Sequence, residues 1–293
     1  MVLFGARAFA IPLRFGQSLD VYEVPGNAVL HWETTIQDRF WFTMEMHIDT
    51  FKVKYTSDAI IAEKLVNLLQ RARDLNPQFL SGSIGLVAKS NINFNIYWGM
   101  GSSSSLISNI AEWAHIDPFV LNNQVSKGSG YDIACARSHH PIVFWLDRNE
   151  PHYFDSHFNP SYIDKLYFVY LGRKQDTNAS IEDLLKYYTP AKSLINQISQ
   201  LTETMRLAGT IEEFNECIRN HEQILSNVLH QPPVKDQYFS DFNGDIKSLG
   251  AWGGDFILAT SKESEESLVD YFKKKDLYTI FPYSEIAISN GSV

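Results

Sequence analysis

The chain has 293 residues, of which 44% are hydrophobic and 20% are charged, a composition typical of a folded globular protein rather than a disordered one. Its formal net charge is −9, and no run of lysine and arginine forms a basic patch, so the sequence argues against DNA or RNA as a partner. The two cysteines form no CxxC pair and no stretch approaches about 18 consecutive apolar residues, which argues against a zinc finger, a disulfide framework and a membrane partner and predicts a cytoplasmic protein.

The first half of the chain is predicted to begin with a β meander. Short β-type runs separated by turn dipeptides cover 17–24, 28–35 and 40–48. Asp58 is placed to cap a helix that extends to about Arg73, with its apolar residues at helical spacing. A β-rich stretch over 84–98 follows and leads into a loop of glycines and serines.

The second half is predicted to mix strands and helices. Buried strands are expected at 142–146 and 166–171, and helical patterns dominate 180–229, with breaks at Pro190 and Gly209. The C-terminal part has a β-α-β pattern over 256–260, 264–273 and 278–281. A chain of this length suits one large domain or two lobes, and we predict two domains, 1–150 and 151–293.

The loop at 99–105 has the composition of a phosphate-binding turn. It reads Gly99-Met100-Gly101-Ser102-Ser103-Ser104-Ser105 and is followed by a helical pattern. Unpaired N–H groups at a helix N-terminus attract anions, glycines allow the backbone to approach a ligand closely, and serine hydroxyls can bind phosphate or magnesium. A flexible turn with a capping serine would have the same pattern, and the residues alone leave both interpretations open.

Two further segments carry groups suited to phosphate transfer. The first, Ser129-Gly130-Tyr131-Asp132-Ile133-Ala134, offers a carboxylate that could orient or deprotonate an acceptor, although an Asp after Ser-Gly is commonly a turn or cap residue. The second, Lys247-Ser248-Leu249-Gly250-Ala251-Trp252-Gly253-Gly254-Asp255, has glycines that let a backbone turn tightly against a ligand, although a plain hairpin is the alternative.

Taken together and in this order, the three segments resemble the three motifs of the GHMP kinase superfamily. The first is similar to its Gly-Leu-Gly-Ser-Ser-Ala signature, and the stretch from Lys127 to Ala134 is similar to the phosphomevalonate kinase version and to a bacterial branch named for Gly-Tyr-Asp-Ile-Ala. The third is similar to the phosphomevalonate kinase form of the last motif. The resemblance implies an α+β, two-lobe GHMP kinase fold, with a ribosomal protein S5 domain 2-like N-terminal lobe and a ferredoxin-like C-terminal lobe.

The resemblance also implies cofactors and roles. ATP and Mg2+ would be the cofactors, with residues 99–105 around the ATP phosphates, Ser102 and Ser103 nearest the phosphates and the metal, and Asp132 as the catalytic residue. The implied substrate-binding residues are Ser129, Gly130, Lys174, Thr177, Lys247, Gly250, Ala251, Gly253 and Gly254. The implied acceptor is a small acidic molecule, phosphomevalonate first and mevalonate second. The alternatives are a nucleotide-binding protein without kinase activity and a related ATP-dependent diphosphomevalonate decarboxylase.

Three departures from the family pattern accompany this resemblance. Family members begin with a strand that ends in Gly-Glu, whereas this sequence enters the pattern after it, at Met1, so we expect upstream coding sequence. Mevalonate kinases place a magnesium-binding Glu ahead of the catalytic Asp, but the corresponding region here reads Leu121-Asn122-Asn123-Gln124. Trp252 stands where the third motif has a glycine, and we expect it either to narrow the acceptor pocket or to seal the loop against the core.

Overall fold

The computed structural model of the chain describes residues 1–172, 188–250 and 255–288. They form a mixed α+β structure that divides into two compact units. We call Phe15–Arg137 the contiguous unit, and Met1–Arg14 together with Ser138–Val293 the split unit. The predicted domain boundary near residue 150 stays a prediction, because compact packing does not by itself delimit a functional domain.

The secondary structure is numbered in chain order over the described residues. The strands are β1 Ala8–Ala10, β2 Gln17–Val24, β3 Val29–Ile36, β4 Arg39–His47, β5 Val53–Thr56, β6 Gly85–Ile92, β7 Ile142–Asp147, β8 Glu150–Asp155, β9 Leu166–Tyr170, β10 Gly244–Ser248, β11 Phe256–Ser261 and β12 Ile280–Pro282. The helices are α1 Ala59–Leu75, α2 Ser102–Trp113, α3 Pro118–Val125, α4 Tyr131–Ala136, α5 Lys192–Leu207, α6 Ile211–Leu229, α7 Val234–Tyr238, α8 Glu265–Lys273 and α9 Tyr283–Ile286.

The contiguous unit is a five-stranded sheet with helices packed against its inner face. The strand order is β2-β6-β3-β4-β5, with β3 and β6 parallel and the other pairs antiparallel. Alternate residues in the middle of these strands are buried, as a strand with one face on a core requires: Leu30, Trp32 and Thr34 in β3, and Phe42, Met44 and Met46 in β4. Trp32, Met44 and Ala88 meet across this face and form a core with the apolar side of α1 and α2.

The split unit contains two antiparallel sheets and, among the described helices, the longest one, α6. One sheet has the order β1-β7-β8, and the other has the order β10-β11-β9-β12. Strand β11 is buried along its whole length because it lies inside the second sheet. Helices α5 and α6 pack against each other, and α6 also packs against β10. The core of this unit includes Val169, Ile246, Ala259 and Phe272.

Most of the predicted elements are confirmed, with local corrections. Strand β2 has the predicted bounds, α1 begins after the Asp58 cap, and the helical stretch breaks near Gly209 between α5 and α6. The prediction of a β-rich stretch up to residue 98 was wrong at its end, because β6 stops at Ile92 and a 3-10 turn covers Ile96–Trp98. Strands β1, β5, β8 and β10 were not predicted. No helix among the described residues is long and apolar enough to span a membrane.

Candidate active site

The glycine and serine loop connects the 3-10 turn to helix α2. Gly99 and Gly101 both have left-handed backbone conformations, with φ values of 67° and 78°. A Cβ added at Gly101 would meet no atom within 4 Å, so this glycine faces open space rather than packed protein. The chain therefore turns through conformations that glycine adopts readily and enters the helix at Ser102.

Helix α2 begins without a side-chain cap. Its N-cap is Gly101, which has no side chain to accept from the first-turn amides, whereas Asp58 and Asp117 cap the neighbouring helices α1 and α3 in the usual way. Ser103, the second residue of the helix, is exposed. The hydroxyl of Ser105 donates to the Gly101 carbonyl at 2.8 Å and so stabilises the turn internally. The first turn of α2 consequently presents amides and hydroxyls of the kind that bind anions.

Helix α4 carries Asp132 and packs against α2 and α3. Its N-cap, Gly130, has φ 84°, and a Cβ there would lie 3.1 Å from Cδ1 of Phe119 on α3. Both the backbone conformation and the contact with Phe119 therefore require glycine at this position. The Ser129 hydroxyl accepts from the Tyr131 amide at 3.4 Å, which fixes the approach to the helix. The fold thus places Asp132 in the first turn of a helix that packs directly on the helix of the serine loop.

The carboxyl of Asp132 has a shifted protonation equilibrium. The side chain remains accessible to solvent, but the protein packed around its carboxyl raises its pKa to about 6, against which a hydrogen bond from Tyr131 acts in the lowering direction. Desolvation penalises the charged form of a carboxyl group, which is why the shift is upward. A carboxyl that titrates near neutral pH is suited to accept a proton from an acceptor molecule.

The neighbours of Asp132 stay protonated at neutral pH. Burial, followed by the charge of Asp132, raises the pKa of the Cys135 thiol to about 12. The charge of Asp132, followed by burial, raises the pKa of Tyr131 well above its ordinary value. Neither group competes with Asp132 as a base.

The region ahead of Asp132 offers an amide rather than a carboxylate. Asn122 on α3 is buried, and its Nδ2 lies 3.8 Å from the position of a Cβ at Gly130. Within the described ranges, no group of three or more His, Cys, Asp or Glu side chains could hold a metal ion. The predicted metal ligands, Ser102 and Ser103, would bind a cation through their hydroxyl oxygens, and water and nucleotide phosphate oxygens would complete the coordination of Mg2+.

The third motif starts at the end of strand β10 in the split unit. Gly250 has φ 60°, and the amide of Leu249 donates to the Phe256 carbonyl at 3.1 Å. The side chain of Lys247 lies within hydrogen-bonding distance of His221 and Glu222 on α6. These two α6 residues carry no signal in the sequence, because α6 shows only the apolar period of a core-facing helix and no motif marks its polar groups.

Several predicted residues lie outside the described part of the chain. They are Lys174, Thr177, Ala251, Trp252, Gly253 and Gly254. The described residues of the first two motifs lie together in the contiguous unit, whereas Lys247 and Gly250 belong to the split unit.

Comparisons with protein-family models and with curated proteins gave no significant match. Solved structures, in contrast, match over nearly the whole chain. The mevalonate kinase of L. major, solved in complex with R-mevalonate, is 15% identical with a TM-score of 0.67 and covers 100% of this chain and 92% of its own.

Two other solved structures extend the comparison. The phosphomevalonate kinase of Streptococcus pneumoniae, in complex with phosphomevalonate and AMPPNP, is 12% identical with a TM-score of 0.61, over 94% of this chain and 98% of that one. The mevalonate diphosphate decarboxylase of Staphylococcus aureus is 9% identical with a TM-score of 0.57, over 98% and 88%. At these identities the likeness establishes the fold. The chain has the α+β fold of the mevalonate-type GHMP kinases, as the three motifs predicted.

Proposed function

We propose that this chain is an ATP-dependent kinase that transfers the γ-phosphate to a small acidic acceptor of the mevalonate type. The observation that carries the proposal is the packing of α2 on α4, which brings the glycine and serine loop and Asp132 into one compact unit. The first group is suited to bind phosphates and the second to act on an acceptor. A fold shared with kinases that act on mevalonate and phosphomevalonate supports the same assignment.

The loop at 99–105 fits a polyphosphate. The open space around Gly101 leaves room for an anion to approach the backbone, and the first-turn amides of α2 are not capped by a side chain of that residue. Ser102 and Ser103 would supply hydroxyls to phosphate oxygens and to Mg2+. ATP with Mg2+ would supply the transferable phosphoryl group and a charge that offsets the phosphates.

Asp132 is the residue we assign to the acceptor. It lies outside the phosphate-binding loop, on the adjacent helix α4, where its carboxylate would orient the acceptor oxygen and accept its proton. Phosphoryl transfer needs positioning and charge neutralisation more than covalent chemistry from the protein, so one well-placed carboxylate suffices.

The acceptor we favour is phosphomevalonate, followed by mevalonate. The sequence around Asp132 is most similar to the phosphomevalonate kinase version of the motif, and a phosphomevalonate kinase is among the structural neighbours. Another small hydroxy acid or a sugar comes third. A decarboxylase acting on diphosphomevalonate is a less favoured alternative, because a decarboxylase neighbour has the same fold but the third motif here resembles the kinase form.

A second candidate is a nucleotide-binding protein without kinase activity. The observation that favours it is the buried amide of Asn122 in a region where mevalonate kinases have a carboxylate for magnesium. A neutral amide binds Mg2+ more weakly than a carboxylate does. Nucleotide binding without turnover would result.

The test is an ADP-release assay with Mg-ATP and one acceptor at a time, namely mevalonate, phosphomevalonate, diphosphomevalonate, homoserine and simple sugars. Acceptor-dependent ADP release with phosphomevalonate or mevalonate is expected. Release of ADP with CO2 from diphosphomevalonate would instead assign the decarboxylase. Binding of AMPPNP without ADP release for any acceptor would assign the nucleotide-binding candidate.

A further inference from the structure

A buried cluster of charged groups lies in the split unit at the end of strand β10. Glu222 projects from α6, and Lys247 and Ser248 are the last two residues of β10. The side chain of Glu222 is 4% exposed and that of Lys247 is 16% exposed. Removing both charges from water is costly unless each has well-placed partners. The partners of each group therefore indicate what the cluster does.

The Lys247 ammonium has three N–H donors, and the structure provides an acceptor for each. Nζ lies 3.1 Å from Nδ1 of His221 and 3.5 Å from Oε1 of Glu222. It also lies 3.3 Å from the carbonyl oxygen of Ser248. Burial, followed by the charge of Lys247, lowers the pKa of His221 to about 4, so the imidazole is neutral at pH 7 and Nδ1 can accept a hydrogen bond. An ammonium with three internal acceptors has no donor left for a ligand.

Glu222 holds both of the last β10 residues with one carboxylate. Its Oε2 accepts from the Ser248 hydroxyl at 2.9 Å, while Oε1 faces Lys247. Burial raises the pKa of Glu222, but the charge of Lys247 and the hydrogen bond from Ser248 outweigh it and lower the pKa below its ordinary value. The carboxylate is therefore ionised at neutral pH. Successive strand residues point to opposite faces of a sheet, so Lys247 and Ser248 start in opposite directions. Because one carboxylate binds both side chains, it restrains the backbone orientation at the end of β10.

The strand end leads directly into the third motif. Leu249 is held to Phe256 by a backbone hydrogen bond, and Gly250 turns the chain with φ 60°. We propose that Glu222 is a positioning residue that fixes Lys247 and Ser248 and hence the backbone path into Gly250, with Lys247 as an internal anchor rather than a ligand of the acceptor. This inference rests on the proposed kinase function and departs from the substrate role that the motif implies for Lys247.

The experiment compares Lys247→Met, Glu222→Gln and the double variant in kcat, KM for the acceptor and the urea unfolding midpoint. Each single variant leaves a buried group without its partner, so we expect a lower midpoint and a lower kcat/KM, by up to about 100-fold, as a displacement of about 1 Å at a reacting group costs. The double variant removes both charges, and we expect it to restore the midpoint and kcat/KM toward the wild-type values.

A ligand role for Lys247 predicts a different result. If Lys247 bound the acceptor, the double variant would keep the raised KM of Lys247→Met, because no second substitution could return the lost cation. That result, or a double variant whose midpoint is no higher than those of the single variants, would overturn the proposal.

The chain offers a matched control and a milder variant. Glu212 and Lys262 also join α6 to the end of a strand of the same sheet, but their side chains are 62% and 65% exposed. Glu212→Gln with Lys262→Met should leave the unfolding midpoint and kcat/KM unchanged, because exposed pairs contribute little.

If the buried single variants do not fold, Ser248→Ala removes one hydrogen bond to Glu222 without leaving an unpaired charge. It should raise the acceptor KM with a small change in midpoint, and unchanged kinetics would overturn the proposal.

Failure of the kinase assignment is distinguished from failure of this inference. A wild-type protein without acceptor-dependent ADP release contradicts the proposed function, while the binding of Mg-AMPPNP and the unfolding midpoints can still be measured for all variants. If the affinity for Mg-AMPPNP and the unfolding midpoint both return toward wild type in the double variant, the anchoring role of Lys247 is supported. If both stay lowered in the double variant, that role is overturned.

Discussion

At the scale of single residues, the chemistry depends most on Asp132. Its charge state is set by the protein packed around it, which raises its pKa to about 6. A carboxyl with its ordinary pKa would be ionised throughout the physiological pH range, whereas Asp132 changes protonation just below that pH range. The base that we assign is therefore sensitive to mild acid.

We expect kcat/KM to fall as the pH is lowered through about 6, because Asp132 must be ionised to accept a proton and is protonated below its pKa. Asp132→Asn should lower kcat by about 10²- to 10⁴-fold and leave the Kd for Mg-AMPPNP unchanged. Asp20→Asn, at an exposed strand position of the same unit, is the control and should keep the wild-type pH profile. A wild-type profile that stays flat through pH 6 would contradict the assignment.

The same shift has a consequence for stability. A folded-state pKa above the unfolded value means that the protonated form stabilises the fold, and this contribution is lost as the pH rises through about 6. Asp132→Asn should therefore be more resistant to urea than wild type at pH 8 and no more resistant at pH 3.

A further prediction concerns the serine hydroxyls of the loop at 99–105. Ser102→Ala and Ser103→Ala should each weaken Mg-AMPPNP binding, by about 10- to 150-fold, since a hydrogen bond to a charged group contributes about 1.5 to 3 kcal/mol. Calorimetry with Mg-AMPPNP measures this directly. Ser81→Ala removes a turn hydrogen bond of the contiguous unit outside the site and should not change the affinity. Wild-type affinity in both loop variants would contradict the phosphate and metal contacts that we assign to these serines.

At the scale of elements, the starts of α2 and α4 distinguish the site from the rest of the contiguous unit. Aspartates cap α1 and α3, whereas left-handed glycines precede α2 and α4. A side-chain cap would fill the amides that a phosphate needs, so its absence at Gly101 is consistent with the proposed role of the loop.

Gly101→Ala tests this interpretation. Its φ of 78° strains any residue with a Cβ, so we expect a loss of about 1 to 2 kcal/mol in the free energy of unfolding. Gly172 has a similar φ of 68° and equally open surroundings, so Gly172→Ala should lose a similar amount. Only Gly101→Ala should also weaken Mg-AMPPNP binding, because its methyl group occupies the space where a phosphate would approach. Equal affinities in the two variants would argue against phosphate binding at the loop.

At the scale of the whole molecule, each unit has a hydrophobic core among its described residues that supports the elements carrying the motifs. The core of the split unit centres on Phe272, which is fully buried and packs against Phe239 and Phe242 at ring-centroid distances of 5.5 and 5.2 Å. This core lies beside β10 and β11, the strands that flank the third motif.

Phe272→Ala should lower the free energy of unfolding by about 3 to 5 kcal/mol, because it removes a buried ring and leaves a cavity. Urea denaturation provides the measurement. Tyr278→Ala, in which the lost ring is 68% exposed, should change it by less than about 0.5 kcal/mol. Similar losses in both variants would show that the ring at position 272 is not part of a close-packed core.

The sequence by itself determined the features that depend on near neighbours along the chain. Local patterns of polarity, capping side chains and glycine predict three such features: the alternating burial in β3 and β4, the Asp58 cap and the loop that precedes α2. The resemblance of three motifs, in their order along the chain, to those of the GHMP kinases also predicted the fold. The roles of the motif residues stay predictions, because a motif states which groups are near one another in sequence and not what they bind.

Only the tertiary structure decided which distant groups meet. It pairs Ala8 of β1 with Phe144 of β7, so that the first strand joins a unit formed mostly by the second half of the chain. It brings the ammonium of Lys247 within hydrogen-bonding distance of the Glu222 carboxylate, and it packs protein around Asp132 that raises the pKa of its carboxyl. These features follow from the packing of segments far apart in sequence, and periodicity within one segment carries no information about its partner. Burial and charge at a site are sums over all surrounding elements, and the folded chain alone defines them.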